Sequence, residues 1–419
     1  MATGATRRAI VIGGSVGGLF AANLLLRRGW DVTVHERARQ GLDSRGTGIA
    51  HHAETQAIMA LAGVRDENPP GVHVPGRCAV DAGGAVVARE AYPQYVTAWG
   101  RIFAPLRAAF PATRYRAGQE LVGLAQDAAG VTAHFADGSQ ATGALLVGAD
   151  GLRSAVRAAV APAAQPVYAG YVGWRGLVEE TEFSPDFAPV FTQFTFGFPG
   201  KGEFIGYPVP GAGDSVAPGE RRYNFLWYYP VDAGAALDDL LTDAAGQRHA
   251  LAIPPALIRP EHIAALQADA AARLPAPYAE APRRARQFLV QPIFDLESPA
   301  LGFGRVALLG DAGFVARPHV GVGVLKAAED ALAVAEALEA EPDIAAALRR
   351  YGAARIPPSR AAVAVSRHLG AFIERRLPRP EADPSLGLSL KRLLALSGRP
   401  VADPAAWSPP GQAGHADAH

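Results

Sequence analysis

Near the start of the chain four apolar residues, Ala9 to Ile12, run into a glycine-rich turn. Beyond it, apolar positions recur at helical spacing from Val16 to Arg28, and a second strand-like run follows from Val32 to His35. This predicts one strand–helix–strand unit. Two later runs, LLVGAD at Leu145 to Asp150 and RVALLGDA at Arg305 to Ala312, are apolar without interruption and end in glycine and aspartate. Such runs predict short parallel strands buried on both faces. Between Pro166 and Pro230 the texture changes to aromatic and β-branched phrases, YAGYVGWRGLV, PVFTQFTFGF, EFIGYPVPG and YNFLWYYPV, separated by Gly/Pro turns. They predict an antiparallel sheet inserted into the α/β frame. RCAVDAGGAVVARE, Arg77 to Glu90, reads as a hairpin turning at Gly83-Gly84 that extends this sheet. Helices are predicted at Ala235 to Leu241, His262 to Leu274, Lys326 to Ala340 and Ile344 to Leu369. The final SPPGQAGHADAH predicts a loose tail.

Composition narrows the function classes. With 40 basic and 40 acidic side chains in 419 residues, the charges cancel and no nucleic-acid surface is favoured. Cys78 is the single cysteine, which removes disulfides and thiolate metal sites, so no metal centre is expected and a reducing, cytoplasmic setting fits. No apolar run reaches the roughly 18 residues of a membrane span. A small-molecule enzyme is the expectation.

Gly13-Gly14-Ser15-Val16-Gly17-Gly18 occupies the first strand-to-helix turn. Ser15 stands where the G-x-G-x-x-G pattern has its second glycine, yet a small residue at the pyrophosphate and a third glycine for helix packing are retained. Glu36 ends the second strand, placed to accept hydrogen bonds from a ribose diol. The unit predicts an adenine dinucleotide site, with FAD and NAD both open at this point.

Three further motifs separate the two. GADGLRSAVR (Asp150, Gly151, Ser154, Arg157) and GDAGFVARPHVGVG (Gly310, Asp311, Pro318, Gly321, Gly323) resemble the later motifs of flavoprotein monooxygenases with the 4-hydroxybenzoate hydroxylase fold. Arg101, in WGRIFAPLRAAF, resembles the arginine by which that family reaches the flavin diphosphate. In the family's order, the resemblance spans nearly all of residues 1 to 370. Within the family, AGYVGWRG, IPPALIRPEHI and GDAGFVARPHVGVGVLKAAEDALA look nearest to the 2,6-dihydroxypyridine 3-hydroxylase branch. Two departures stand out: Ser15, and an Ala316-Arg317-Pro318-His319 run that lacks the paired prolines of many members.

The resemblance implies an FAD-binding domain of Rossmann type from residues 1–69, 92–165 and 285–345. It further implies a mostly antiparallel substrate-binding sheet domain from 70–91 and 166–284, and a C-terminal helical segment with its tail over 346–419. Gly13, Ser15, Val16, Gly17, Gly18, Glu36, Arg37, Arg45, Arg101, Asp150, Asp311, Pro318, Gly321, Gly323 and Val324 are the implied cofactor residues. Asp311 would accept from a ribityl hydroxyl, and the amides of the Gly321 to Val324 helix start would meet the flavin pyrimidine oxygens. Asp150 reads equally as an N-cap.

The family chemistry is hydride transfer from NADH or NADPH to FAD, formation of a flavin C4a-hydroperoxide with O2, and hydroxylation of an activated aromatic ring. One group must help the ring lose a proton. His319 and Tyr207 are the catalytic candidates, with His51 and His52 behind them; each reads also as a packing residue. Trp99, Trp174 and Trp227 read as core or pocket wall. The family's common homodimer is the expected assembly. An NAD-dependent dehydrogenase, a flavin oxidase or reductase acting on an aliphatic substrate, and a flavin-binding sensor are the rival classes.

Overall fold

The computed structural model describes residues 7–39, 48–65 and 70–400. Arg45 and the tail expected to be loose lie outside the described residues.

Six strands form the sheet that carries the N-terminal unit. In spatial order they are Gly302–Phe303, Val306–Leu308, Leu145–Gly148, Arg8–Ile12, Asp31–Glu36 and Tyr115–Ala117. All neighbours run parallel except the two-residue edge strand. The three apolar runs read from the sequence therefore lie side by side: Ile12 is opposite Gly148, which is opposite Leu308. Strand Arg8–Ile12 is followed in chain order by its neighbour on one side and flanked on the other by a strand from much later. A crevice at the carboxyl ends of these strands is where an open α/β sheet takes its ligand. Helices Val16–Arg27 and Gly323–Ala340 pack against each other there.

The second sheet has nine strands, in the order Phe314–Val315, Phe288–Glu297, Val167–Glu179, Arg222–Pro230, Glu203–Val209, Phe194–Gly197, Val72–Val80, Val86–Ala98 and Gly48–His51. Every pairing is antiparallel except that of Phe194–Gly197 with Val72–Val80. The hairpin is longer than its Arg77 to Glu90 core. Its second strand continues to Ala98, where Tyr95 to Ala98 pair with Gly48–His51. Polar, exposed positions around Glu90 and Pro93 hide that continuation from a pattern reading. The large sheet thus reaches into residues 92–98 and 288–297.

One face of this sheet packs on helices Pro260–Arg273 and Ala276–Arg284 through Trp174, Phe225, Trp227 and Tyr278. The other face joins the 31-residue helix Ile344–Glu374 and the short helix Leu390–Leu396. Helices Gly100–Ala109 and Ala276–Arg284 escaped the sequence pattern because Pro105 and Pro282 lie inside them. A three-stranded sheet, Leu121–Gln126, Val131–Phe135 and Gln140–Gly143, was not expected either.

Candidate active site

The glycine turn is built so tightly that two of its positions admit no side chain. Gly13 has φ +101°, and a Cβ there would lie 2.4 Å from the Ala149 carbonyl oxygen. A Cβ on Gly18 would lie 1.9 Å from the Gly13 carbonyl oxygen. These contacts bring the first helix up to the strand ends and leave its N-terminus facing a cavity. Glu36, 7% exposed, locks the turn: Oε2 accepts from the Gly14 N–H (2.8 Å) and Oε1 from the Ala38 N–H (2.9 Å). Each carboxylate oxygen keeps a lone pair for a further donor.

The Asp150 and Asp311 segments meet this turn from two other strands. Asp150 Oδ1 accepts from Ser154 Oγ (2.6 Å), and Oδ2 from the N–H groups of Ala155 and Val156 (2.7 and 3.2 Å). That is a helix cap for Ala155–Val160, and the side chain also borders the cavity. Burial pushes its carboxyl above the ordinary value despite these donors. Arg157, buried, ties the segment to the next strand by donating to the carbonyls of Leu152, Ala164 and Ala312. The Gly310-Asp311 turn is clasped from behind. Lys326 Nζ donates to the Gly310 carbonyl (2.8 Å), the Gly310 N–H donates to Asp330 Oδ2 (3.0 Å), and Arg355 Nε holds Asp330 Oδ1 (2.8 Å). Asp311 is left facing the cavity, and the surrounding protein raises its pKa.

One cavity of about 720 Å³ is bordered by all these elements and by the large sheet, a volume within the ordinary range for ligand sites. Gly13, Ser15, Val16, Gly17, Glu36, Arg37, Asp150, Asp311, Pro318, Gly321, Gly323 and Val324 line it. Gly18 lies in the helix behind the turn. Arg101 is not on the cavity wall: on helix Gly100–Ala109 it is buried, and its guanidinium donates to the Asp214 carbonyl (3.2 Å). Trp99, at the start of that helix, borders the cavity instead.

The sheet side of the cavity is aromatic and apolar: Phe194, Phe196, Ile205, Tyr207, Leu226 and Tyr228. The Tyr207 hydroxyl donates to the Gly48 carbonyl (2.8 Å) and its ring stacks on Phe194. Burial pushes this phenol up to about 12, so it stays a protonated latch on the neighbouring strand. His319 lines the cavity with one ring nitrogen hydrogen-bonded and the other beside a carboxylate. Nδ1 lies 3.1 Å from Glu203 Oε2, in ion-pair range but outside hydrogen-bond alignment, and Nε2 is 2.8 Å from the Tyr171 hydroxyl. The imidazole is thus clamped against Tyr228, at 4.1 Å between ring centres. His52 sits on the cofactor side, its Nε2 donating to the Gly321 carbonyl (3.0 Å). His51 is buried beside it at the end of strand Gly48–His51.

Several further groups at the site were not singled out from the sequence. Arg175, Tyr228 and Gln291 line the cavity from three adjacent strands, and Glu203 backs His319. Ser397 and Gly398 border it from the C-terminal segment. Arg77 holds that segment by donating to the carbonyls of Leu394 and Gly398, and the Gly398 N–H donates to the His319 carbonyl. The Lys326–Asp330 clasp, also not singled out, does carry a readable signal, an i,i+4 pair on an otherwise apolar helix face.

Burial lowers the pKa of His52, and of His35 behind the glycine turn. Both are neutral when folded and take a proton on unfolding near the ordinary value of about 6.5. The unfolded state then binds more protons, so their stabilisation, complete above that pH, is lost as pH falls through their lower folded values. The unfolding temperature is expected to drop between pH 7 and pH 5, and His52→Gln, which keeps a donor for Gly321, should flatten that slope. An unchanged slope would remove His52 from the explanation.

The residues present fit an adenine dinucleotide bearing a flavin. A cradle that a Cβ would fill, a carboxylate at the second strand end, and the N–H groups of an 18-residue helix start at Gly323 converge on one cavity. A family model described as FAD binding domain-like matches residues 168–295. The 2,6-dihydroxypyridine 3-monooxygenase of Paenarthrobacter nicotinovorans is 34% identical over 350 residues, covering 83% of this chain and 86% of the relative. The structure of 2,6-dihydroxypyridine-3-hydroxylase from Arthrobacter nicotinovorans superposes with a TM-score of 0.84 at 31% identity, over 91% of this chain and 96% of that one. Klebsiella pneumoniae HpxO, solved with FAD and uric acid, gives a TM-score of 0.71 at 26% identity over 94% of each chain.

Proposed function

The chain belongs to the family of FAD-dependent aromatic-ring monooxygenases, and from that premise we propose that it hydroxylates an electron-rich hydroxypyridine-type ring with O2 and NADH or NADPH. The observation that carries this reading is the single cavity shared by the dinucleotide turn, the Asp311–Val324 loop and the aromatic face of the large sheet. A flavin held at its first two walls would present its ring to the third. The division of labour expected from the sequence, with cofactor on the parallel sheet and substrate on the large one, belongs to the same proposal. So do the homodimer and the cytoplasmic setting.

Bound FAD supplies the redox chemistry, by which a ring C–H, O2, NAD(P)H and a proton become a ring C–OH, NAD(P)+ and water. The chain supplies position and shelter. Glu36 would accept from the ribose diol, and its charge would disfavour a ribose phosphate at that point. The Gly323 and Val324 N–H groups would stabilise negative charge on the flavin pyrimidine. Phe194, Phe196, Ile205 and Leu226 exclude water from the reacting face. His319, hydrogen-bonded to Tyr171, holds its imidazole against the ring pocket and packs on Tyr228.

The test is a panel of phenols, hydroxypyridines and hydroxybenzoates scored by stimulation of NADH and NADPH oxidation in the yellow holoenzyme. Stimulation by hydroxypyridines with a hydroxylated product is expected. Oxygen consumption that ends only in hydrogen peroxide would move the protein to an oxidase, and a colourless protein would remove the flavin.

A further inference from the structure

After helix Leu390–Leu396 the chain crosses the seam between two parts of the cavity wall. One is the hairpin of strands Val72–Val80 and Val86–Ala98, and the other is the 317–322 loop on the flavin side. Ser397 and Gly398 themselves become part of the wall at that crossing. Leu393 and Leu394 fix the helix in the core that also holds Val72, Val74 and Phe194. Against the loop the contact is backbone to backbone. Gly321 and Gly398 have left-handed φ of +62° and +60°, and a Cβ on Gly321 would lie 2.8 Å from Gly398 Cα. The Gly398 N–H donates to the His319 carbonyl (3.2 Å) across the same seam.

The hairpin grips this strap from behind. Arg77, 3% exposed, donates through Nη1 to the Leu394 carbonyl (3.2 Å) and through Nη2 to the Gly398 carbonyl (3.1 Å) and Gln94 Oε1 (2.7 Å). Gln94 Nε2 donates to the same Gly398 carbonyl (3.2 Å). The Arg77 guanidinium also lies over the ring of Phe194, 5.6 Å from its centre, on the side away from the cavity that Phe194 lines. Arg399 extends the grip, donating to Glu90 (2.9 Å) and lying 3.9 Å from the centre of the Tyr92 ring. These bonds decide what the strap shows to the cavity. Ser397 Oγ is turned back to the Leu393 carbonyl (2.8 Å), the Gly398 N–H is spent on His319, and the Gly398 carbonyl takes two donors. Polar groups satisfied within the protein have little call for water, so this stretch of backbone borders the cavity as a dry wall beside Phe194.

We infer that residues 389–399 are a strap that seals the reaction chamber against water, and that Arg77 is the positioning residue that sets it. This rests on the ring-hydroxylase reading above and deepens it. Arg77 lies behind the wall and acts through the Leu394 and Gly398 carbonyls. Without its guanidinium the Gly398 carbonyl keeps only the Gln94 amide, and the end of the strap can lift from the seam. Water in the chamber diverts the reaction: O2, NAD(P)H and a proton then leave as hydrogen peroxide and NAD(P)+, with no oxygen delivered to the ring.

The test uses the FAD holoenzyme with two readouts. Quenching of the bound flavin's fluorescence by iodide needs no substrate, and hydrogen peroxide formed per NAD(P)H is measured with the ring that best stimulates oxidation. Arg77→Met should favour the lifted strap by roughly tenfold or more, raising both the quenching constant and the peroxide yield while flavin content stays at one per chain. Arg77→Lys, which keeps a donor but not the fork, should fall between the two. Gly398→Ala would place a Cβ 2.9 Å from Arg77 Nη2 and should produce the same two changes with Arg77 intact. Arg221→Met, which breaks the ion pair with Glu180 away from the cavity, is the control for lost stability and should leave both readouts at the parent's values. Parental quenching and peroxide yield in Arg77→Met and Gly398→Ala, or equal changes in Arg221→Met, would overturn the assignment. Failure of the underlying reading looks different: no ring would accelerate NAD(P)H oxidation by the wild type, while iodide would still report on the strap.

Discussion

Gly18→Ala is expected to yield protein that purifies nearly free of flavin. The added methyl would sit 1.9 Å from the Gly13 carbonyl oxygen, a backbone atom in a turn already held by the Glu36 carboxylate and by the Gly13 N–H to His35 carbonyl bond. Neither partner has a flexible end that could swing aside, so the first helix must back away from the strand. That movement takes the helix N-terminus from its cavity wall and breaks the Glu36–Gly14 contact. The overpacking alone costs about 1–3 kcal/mol, and the displaced turn should lower FAD affinity by a further order of magnitude or more. Gly123→Ala, at a position with open space around it, is the control. Flavin absorbance per protein after gel filtration reads the result, and unchanged flavin content in Gly18→Ala would refute the packing argument.

Arg317→Met should be the most destabilising change away from the glycine turn. Its guanidinium grips Asp295 through two bonds, Nε to Oδ1 at 3.0 Å and Nη2 to Oδ2 at 2.7 Å, with both side chains about 5% exposed or less. A third bond reaches Glu374, and its backbone N–H donates to Ser366 Oγ. One residue thus pins the flavin-side loop to the large sheet and to the long C-terminal helix. Removing one member of a buried ion pair costs about 3–5 kcal/mol, because the partner is left charged without compensation. Arg367, 3.1 Å from Asp295, moderates the loss toward the lower figure. In urea unfolding the midpoint should fall sharply, and Arg317→Met combined with Asp295→Leu should recover most of the loss. A single variant as stable as the parent would show that the pair is not a structural anchor.

The parallel sheet and its turn were legible because their causes are local. A strand buried on both faces leaves an uninterrupted apolar run, and a helix that starts against a pyrophosphate needs small residues at fixed offsets. Ala9 to Gly18, Leu145 to Asp150 and Val306 to Asp311 carry those marks, and the chain brings the three strands side by side with their carboxyl ends together. The aromatic phrases announced a second sheet for the same reason. What stayed hidden depends on contacts between distant segments. Arg175 reads as any polar position in a strand until Gly173 is paired with Tyr228 and Gln291, because register decides which face meets the cavity. Tyr207 and His319 read from the sequence both as catalytic candidates and as packing residues, and only the fold shows the Tyr207 hydroxyl donating to the Gly48 carbonyl and His319 Nε2 meeting the Tyr171 hydroxyl. Arg101 carries a family-like motif, yet its side chain meets the Asp214 turn. Ser397 and Gly398 have no distinctive sequence at all, and reach the cavity because Arg77 holds them there.

Insertion of one oxygen atom from O2 into a ring at this cavity can be followed with isotopic dioxygen. The hydroxypyridine that best stimulates NAD(P)H oxidation would be turned over under 18O2, and its product weighed by mass spectrometry. One 18O atom per product molecule, with one NAD(P)H consumed for each, is the expected result. A product oxygen drawn from water, or NAD(P)H consumed with all the labelled oxygen recovered as hydrogen peroxide, would contradict it.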